Sequence, residues 1–563
     1  MRLIMRYCNL TLLLCFPFAA AYAQTPPSAG SLLQEIERNR PSILPGQKAP
    51  LQSPVKEMQA PAGDQQVLVK SFRFAGNTLL SEEQLAAVVA PYQGRSLSFL
   101  QLQAIAVEVA KVYREAGWIV RAYLPQQDIT DGAITIQIIE AVFGGAVFEG
   151  DSSLRTQREL ITQRIERQQA VGATLSAEAI DRALLLIDDL PGVIASGFLR
   201  QGAREGETEL MMKLADGPLA TGDGGIDNTG SRSTGRERLS ANVNFNSPFG
   251  FGELIGTNAM VTKGSDYLRV GMTVPLQYDG WRIGANASHL NYKLVAAEFI
   301  ALNGKGTSDT VGIEASYPVI RSRRANLYFN AALDQKQFDN QANNTTTTRY
   351  KLDSLTLGLT GNLFDSYGGG GANSASLALI QGDLNLDGSP NQAADAITAQ
   401  TAGAYSKWRY ALSRQQVISK DLSVFAAFSG QHAGKNLDSS EKFSLGGVAG
   451  VRAYPSSEGS GAHGQLLSLE LRYRAMQGVM LTVFHDTGRI TVNKNEFAGA
   501  PALNTYGLRG SGVALAWQAE NGISLKGVWA RRDGGNPNPT ATGKDQDGSL
   551  MKDRFWLTAS LAF

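Results

Sequence analysis

The sequence predicts a membrane β-barrel of sixteen antiparallel strands, preceded by a short helix and two small α+β domains. Three observations carry this. From Leu219 to Phe563 apolar and polar positions alternate, strand after strand. A period of two gives each strand two faces in different surroundings. The connections alternate as well, short then long, and the chain stops on an aromatic with no polar tail. In a barrel the apolar face meets lipid and the polar face meets a wet lumen. Short turns lie on the periplasmic side, long loops outside, and aromatic residues girdle the interfaces. A soluble sandwich or propeller shares the alternation. It does not explain the loop lengths, and no fixed-period blade repeat is present.

The first 23 residues read as a signal peptide. Arg2 and Arg6 precede a short apolar run, Leu10 to Ala20, and Ala21-Tyr22-Ala23 is a small-x-small cleavage site ahead of Gln24. The run is too short to span a bilayer. Both cysteines, Cys8 and Cys15, lie in this leader, so the mature chain is expected to hold no disulfide, thiolate metal site or cysteine nucleophile. Two of the 52 Lys and Arg residues leave with it, so 50 face 51 Asp and Glu. That balance gives no support to a nucleic-acid partner.

Residues 24–40 contain a helix near 30–40 with one apolar stripe, Leu32, Leu33 and Ile36. So short a helix needs a surface to dock on. Residues 41–66 carry Pro41, Pro45, Pro50, Pro54 and Pro61 and read as a semi-extended linker.

Residues 67–140 read strand, helix, helix, strand, strand. Val67 to Phe74 alternates. Ser81-Glu82-Glu83-Gln84 and Ser98-Phe99-Leu100-Gln101 are capping boxes. The second helix presents Leu102, Ile105, Val109 and Val112 and stops at Gly117; strands at 118–125 and 133–140 flank Asp131-Gly132. Residues 141–216 repeat the order: a strand at 146–149, helices near 154–167 and from Ser176 to Leu190, and strands at 193–200 and 207–214.

Residues 217–563 form the barrel. Strand eight alternates Leu355, Leu357, Leu359 and Leu363 with Ser354, Thr356, Thr360 and Asn362. In strand twelve Leu467, Leu469, Leu471 and Tyr473 oppose Ser468, Glu470, Arg472 and Arg474. In strand thirteen Val479, Leu481 and Val483 oppose Thr482, Phe484 and Asp486. Short turns are expected at 278–280, 419–421, 476–478 and 520–522. Long loops are expected near 294–307, 341–349, 387–404, 436–464, 490–506 and 533–552.

Two motifs stand out. Leu445-Gly446-Gly447 leads to Val451-Arg452-Ala453-Tyr454 in the long sixth loop, and Phe484-His485-Asp486-Thr487-Gly488 lies in strand thirteen. Alternation turns Asp486 into the lumen, where a Gly-rich loop bearing one Arg can reach it and form a charge-assisted pair. Glu470, Arg472 and Arg474 read as general lumen-wall charges. The four histidines, His289, His432, His463 and His485, are scattered without metal or triad spacing, and His485 falls on the lipid-facing phase. Neither an enzyme nor a bound metal or cofactor is expected.

In its layout the chain resembles the two-partner secretion transporters, or haemolysin secretion/activation proteins. These belong to the superfamily of barrel-assembly proteins whose periplasmic modules are POTRA domains. Ser31 to Arg38 resembles that family's plug helix. Phe74-Ala75-Gly76-Asn77-Thr78 and the stretch Tyr123 to Ile129 with Asp131-Gly132 are similar to its first POTRA domain. Asp188-Asp189-Leu190-Pro191-Gly192-Val193 is similar to the exit of the second POTRA helix, and Ile226 to Ser231 to the first barrel strand. The sixth-loop motif resembles the superfamily's Val-Arg-Gly-Tyr/Phe signature, with Ala453 where Gly is usual, and the strand motif its Phe-x-Asp-x-Gly signature. Ala is less permissive of positive φ than Gly, so the loop tip is expected to be set slightly differently.

The resemblance implies an outer-membrane pore, its POTRA domains in the periplasm, that secretes one large partner protein of the haemolysin, adhesin or toxin class. It implies a loop locked by Arg452 and Asp486, with Val451, Ala453, Tyr454, Phe484 and Gly488 as the motif residues around them. A cargo groove is expected at Val193, Ile194, Gly197 and Leu199 of the second domain, where strand addition takes an extended segment. An insertase of barrel proteins is the alternative; those relatives usually carry more POTRA modules and no plug helix. A diffusion porin would not need POTRA domains.

Overall fold

A computed structural model describes residues 26–38, 66–129, 131–150, 154–204 and 206–563. The expected signal peptide, and all but the last residue of the expected linker, lie outside the described residues.

Helix α1 (Ala29–Arg38) comes first. The first α+β domain follows. Its alternating segment from Val67 to Phe74 is not one strand but two, β1 (Gln66–Leu68) and β2 (Ser71–Ala75). The break falls at Val69, which is fully buried and donates its amide to Arg95, while Lys70 and Ser71 donate to Gly132. Helix α2 (Glu82–Val89) follows. Strand β3 (Ser96–Ser98), not foreseen, pairs with β1. Helices α2 and α3 (Phe99–Glu115) both start on the expected capping boxes. On α3 the last core position is Tyr113 rather than Val112. Strands β4 (Val120–Tyr123) and β5 (Ala133–Glu140) complete a mixed sheet in which β2 runs parallel to β5. At its exit Gly76 adopts φ +85° against the Ile138 carbonyl. Burial pushes the Glu140 carboxyl up. Bonds from the Thr78 hydroxyl and the Thr78 and Leu79 amides outweigh that and hold it below its usual range.

The second domain has the order β6 (Val142–Phe148), α4 (Arg158–Gln168), α5 (Ala177–Asp188), β7 (Val193–Gln201) and β8 (Glu207–Asp216). Strand β6 starts four residues earlier than expected. The sheet order β6-β8-β7 leaves β7 at an edge. This domain docks under the barrel through ion pairs. Asp189 takes a two-pronged bond from Arg321 at 2.7 and 2.8 Å, and Asp181 binds Arg323 at 2.8 Å.

The barrel closes with sixteen strands: β9–β19 between Ala220 and Ala433, and β22–β26 between His463 and Ala562. The short antiparallel pair β20 (Phe443–Ser444) and β21 (Ser460–Gly461) lies in the sixth loop. Closure joins β26 (Asp553–Ala562) to β9 (Ala220–Asp227), and Phe563 exchanges backbone bonds with Gly222. In β26 Phe555, Leu557 and Leu561 face outward and Trp556 is buried inward, as the alternation requires.

The expected long loop at 341–349 is instead a two-residue turn. Asn343 and Asn344 stand at φ 49° and 60° between β15 (Ala325–Ala342) and β16 (Thr345–Asp365). Asn tolerates left-handed backbone, and two such residues make the tight hairpin whose twist matches the strands. The upper lumen also departs from a simple polar lining. Tyr292, Phe338, Tyr350, Leu352 and Leu384 point inward and are buried, because α1 covers them.

Candidate functional site: the obstructed lumen

Loop six joins β19 (Leu422–Ala433) to β22 (His463–Met476) and folds back into the barrel. Its Arg452 meets Asp486 of β23 (Val479–Thr491) through two side-chain bonds, Nε–H to Oδ2 at 2.8 Å and Nη2–H to Oδ1 at 2.7 Å. The Arg452 amide adds a third at 3.1 Å. Asp486 is fully buried and Arg452 is 7 % exposed. The same guanidinium donates to Glu470 Oε1 at 2.8 Å and Ser468 Oγ at 3.0 Å, and lies 3.5 Å from the centroid of the Phe484 ring. Such a planar fork suits carboxylates and an aromatic floor together. Glu470 is therefore not a general wall charge: it is a direct partner of Arg452, and Arg472 braces it at 2.7 Å. Alternation sets the face of Glu470 but not what a loop brings to it.

The wall is shaped for the loop. A Cβ at Gly488 would collide with Leu445 of loop six, and one at Gly510 with the Ala453 side chain. The glycine in the strand motif is thus required by close approach. Ala453 is not among the residues with positive φ, so the departure from Gly strains nothing, and Gly510 makes room for its methyl. Val451, Ala453 and Tyr454 are all buried, and Trp556 donates to the Arg452 carbonyl at 2.8 Å.

A second anchor was not visible in the sequence. Glu441, at the start of loop six, binds Lys407 Nζ at 2.5 Å and Lys336 Nζ at 3.3 Å. Lys407 also donates to the Glu441 carbonyl at 2.7 Å. Lys336 lies 3.9 Å from Glu37 of α1, so one wall cation faces both obstructing segments. No local pattern marks these residues; only their convergence does.

Helix α1 sits in the lumen. Leu32 and Leu33 are buried, and Ile36 packs partly against the same cluster of Tyr292, Phe338 and Tyr350. The Ala29 amide donates to Asn340 at 2.8 Å. Gln34 accepts from Ser444 at 3.2 Å, and Arg38 donates to the carbonyls of Gly446 and Ala449 at 3.2 and 2.7 Å. Three of these partners belong to loop six.

The residues named for the cargo groove divide between two faces. Val193, Gly197 and Leu199 face the domain core, where Gly197 lies beside Leu184 of α5 and Met212 of β8. Ile194, 56 % exposed, stands on the opposite face with Phe198, which sequence reading left out. Period two along one strand cannot place both Val193 and Ile194 in one groove. Two histidines also come closer than expected: the His432 and His463 rings lie 4.4 Å apart. His485 faces outward as expected and meets Ser511 at 3.0 Å.

Comparison with known proteins agrees with this architecture. The heme/hemopexin transporter protein HuxB of Haemophilus influenzae is 26% identical over 561 residues, 95% of each chain. The outer membrane transporter CdiB of Dickeya dadantii is 24% identical over 493 residues, 84% of each chain. The solved structure of CdiB from Escherichia coli matches with a TM-score of 0.71 at 18% identity, covering 96% of this chain and 100% of that one, a likeness of fold. A model of the ShlB-type POTRA domain matches residues 67–141. The model of the haemolysin secretion/activation protein ShlB/FhaC/HecB family matches residues 206–515, more than half of the chain, and the chain belongs to that family.

Proposed function

We propose that this outer-membrane transporter secretes one large partner exoprotein of the haemolysin, adhesin or toxin class, and that loop six and α1 close its conduit at rest. The observation that carries the reading is the Arg452–Asp486–Glu470 cluster, which holds a mobile type of element, a long loop, inside the lumen. The second POTRA domain is the one that hands cargo to the conduit, because it is fastened to the barrel's periplasmic turns through Asp181 and Asp189. Its edge strand β7 starts beside the mouth: Gly192 lies against Asn246, at the end of β10 (Arg238–Asn246). An extended cargo segment adds to β7 by backbone pairing, with Ile194 and Phe198 as exposed apolar contacts on one face.

The test is to ask whether a large secreted protein is encoded beside this gene and to measure its export with and without the transporter. Cargo in the medium only when the transporter is present supports the reading. For the edge strand, where the even-numbered residues bond to β8, Ala195→Pro removes a backbone donor from the free edge of β7 and is expected to weaken cargo binding by the periplasmic domains several-fold. The barrel should still shift on gels when heated. Unchanged binding would remove β7 from the mechanism.

A further inference from the structure

Two outward-facing arginines lie near the top of the barrel wall, on neighbouring strands. Arg489 belongs to β23, whose inward positions are Phe484, Asp486 and Ile490; Arg509 belongs to β24 (Thr505–Gln518), whose inward positions are Tyr506 and Leu508. Both arginine side chains are exposed. In the ladder Arg489 faces Gly507 and Arg509 faces Thr487, so the two are diagonal neighbours across one strand pair. Gly507 has no side chain to fill the space between them. A hollow of about 490 Å³ results, lined by both arginines with Phe428 and Leu467 as its apolar wall. A larger hollow continues from Arg489 along the outer wall past Phe428, Leu412 and Trp408.

Their height on the wall decides what they meet. Arg489 stands ten residues above Val479, at the periplasmic end of β23, and Arg509 nine above Gln518. With a rise of about 3.3 Å per residue and a tilt of about 40°, both guanidiniums lie about 23–25 Å above the periplasmic turns. The lipid-facing apolar band of such barrels is about 25 Å tall. The pair therefore sits at the headgroups of the outer leaflet, above the polar Thr487, His485 and Ser511 of its own strands and beside the apolar Phe428 and Leu467 of the next two.

Neither arginine makes an ion pair or side-chain hydrogen bond among the described residues. Their surroundings show that this is not for want of outward acids. Asp533 donates its amide to the Arg509 carbonyl, but its carboxylate lies 3.7 Å from His485; Asp553 lies 3.8 Å from Arg531. On another part of the outer wall His289 and Arg349 are matched by Asp309 and Asp339, each at 2.7 Å. Arg489 and Arg509 are left with ten N–H donors between them and no side-chain acceptor among the described residues.

We propose that Arg489 and Arg509 form a binding site for the phosphorylated sugar headgroup of an outer-leaflet glycolipid, of the lipopolysaccharide type. Phosphate matches the guanidinium fork and takes paired bonds from two such forks at once. The acyl chains lie down the wall against Phe428, Leu467 and Leu412. The site is separate from the lumen, since both arginines point away from it, and it fixes the rotational setting of strands thirteen and fourteen in the outer leaflet.

The experiment uses the full chain in detergent micelles and bisphosphorylated lipid A as probe, with bound lipid read by native mass spectrometry. Wild type is expected to retain lipid A, and the double variant Arg489→Glu/Arg509→Glu to retain about tenfold less. The double lysine variant, which keeps the charge without the fork, is expected to fall between them. Dephosphorylated lipid A should bind wild type no better than the double glutamate variant. Heat-modifiability on gels confirms that each variant is a closed barrel, and the lysine variant carries the test if the glutamate variant fails that check. Equal retention by wild type and variants would overturn the proposal. So would displacement of lipid A by inorganic phosphate alone, which would mark a free-anion site, or equal binding of phosphatidylglycerol, which would mark unspecific attraction to acidic lipid.

Discussion

Helix α1 and loop six obstruct the same lumen but are held by different forces. The helix is held by apolar contact: Leu32 and Leu33 are buried against wall aromatics, each worth about 1.5–3 kcal/mol relative to exposure. Its polar bonds are spread along its length rather than gathered on one group, and those of Gln34 and Arg38 end on loop six itself. Loop six is held by buried charge, and the side-chain partners of Arg452 all lie on wall strands. The dependence therefore runs one way. Removing the helix leaves Asp486, Glu470 and Ser468 in place around Arg452. Moving loop six takes away the acceptors of Arg38 and the donor to Gln34. The helix can leave first; the loop cannot move without loosening the helix.

The largest expected effect breaks the loop's side of this comparison. Arg452→Ala leaves Asp486 and Glu470 buried side by side with Arg472 the nearest cation, and Asp486→Ala leaves Arg452 with Glu470 and the Phe484 ring. Losing one partner of a buried pair costs about 3–5 kcal/mol. Both variants should reach the membrane and secrete at most about a tenth of the wild-type amount, with Arg452→Ala the more severe. Because both remove the same contact, the double variant should be no worse than Arg452→Ala. The quantity measured is cargo in the medium per unit of transporter in the outer membrane. Wild-type secretion by both single variants would mean the ion pair plays no part in transport.

Deleting residues 29–38 breaks the helix's side. Single-channel conductance in a planar bilayer should rise, while secretion falls by less than half and the Arg452 cluster stays formed. The cluster shows separately in the deletion background, where Arg452→Ala should cut secretion by the same factor as in the full chain, since Arg452 has no partner on α1. Unchanged conductance would mean that α1 does not close the conduit.

The two segments were not equally legible in the sequence. Arg452 and Asp486 each lie in a short motif, and period two alone turns Asp486 inward. The stripe of Leu32, Leu33 and Ile36 announced that α1 must dock, but said nothing of where. Its partners Tyr292, Phe338 and Tyr350 are inward-facing aromatics on strands read as polar inside, since alternation was judged by the lipid face. Glu470 was legible as lumenal but not as a partner. Glu441, Lys336 and Lys407 lie far apart in the chain and meet only once the loop has folded back. At the top of the barrel, polar sequence does not mark a loop. The strands β15 and β16 run on through polar residues to Asn343 and Asn344, where backbone pairing rather than lipid sustains them.

The smallest effects test the one group that faces both segments. Lys336 lies 3.3 Å from Glu441 and 3.9 Å from Glu37. Glu441→Gln leaves buried Lys407 with a neutral partner, so the start of loop six should loosen and secretion should fall about two- to fivefold, less than for Arg452→Ala. Glu37→Gln removes only the longer contact. At 3.9 Å the pair makes no good hydrogen bond, and a pair of that quality is worth at most about 1 kcal/mol. Secretion should be unchanged and the resting channel should open at most about fivefold more often, an effect that high salt should shrink. If instead Glu37→Gln opens the channel as fully as deleting α1 does, charge rather than apolar burial holds the helix. The contrast between the two segments would then collapse into a single electrostatic lock centred on Lys336.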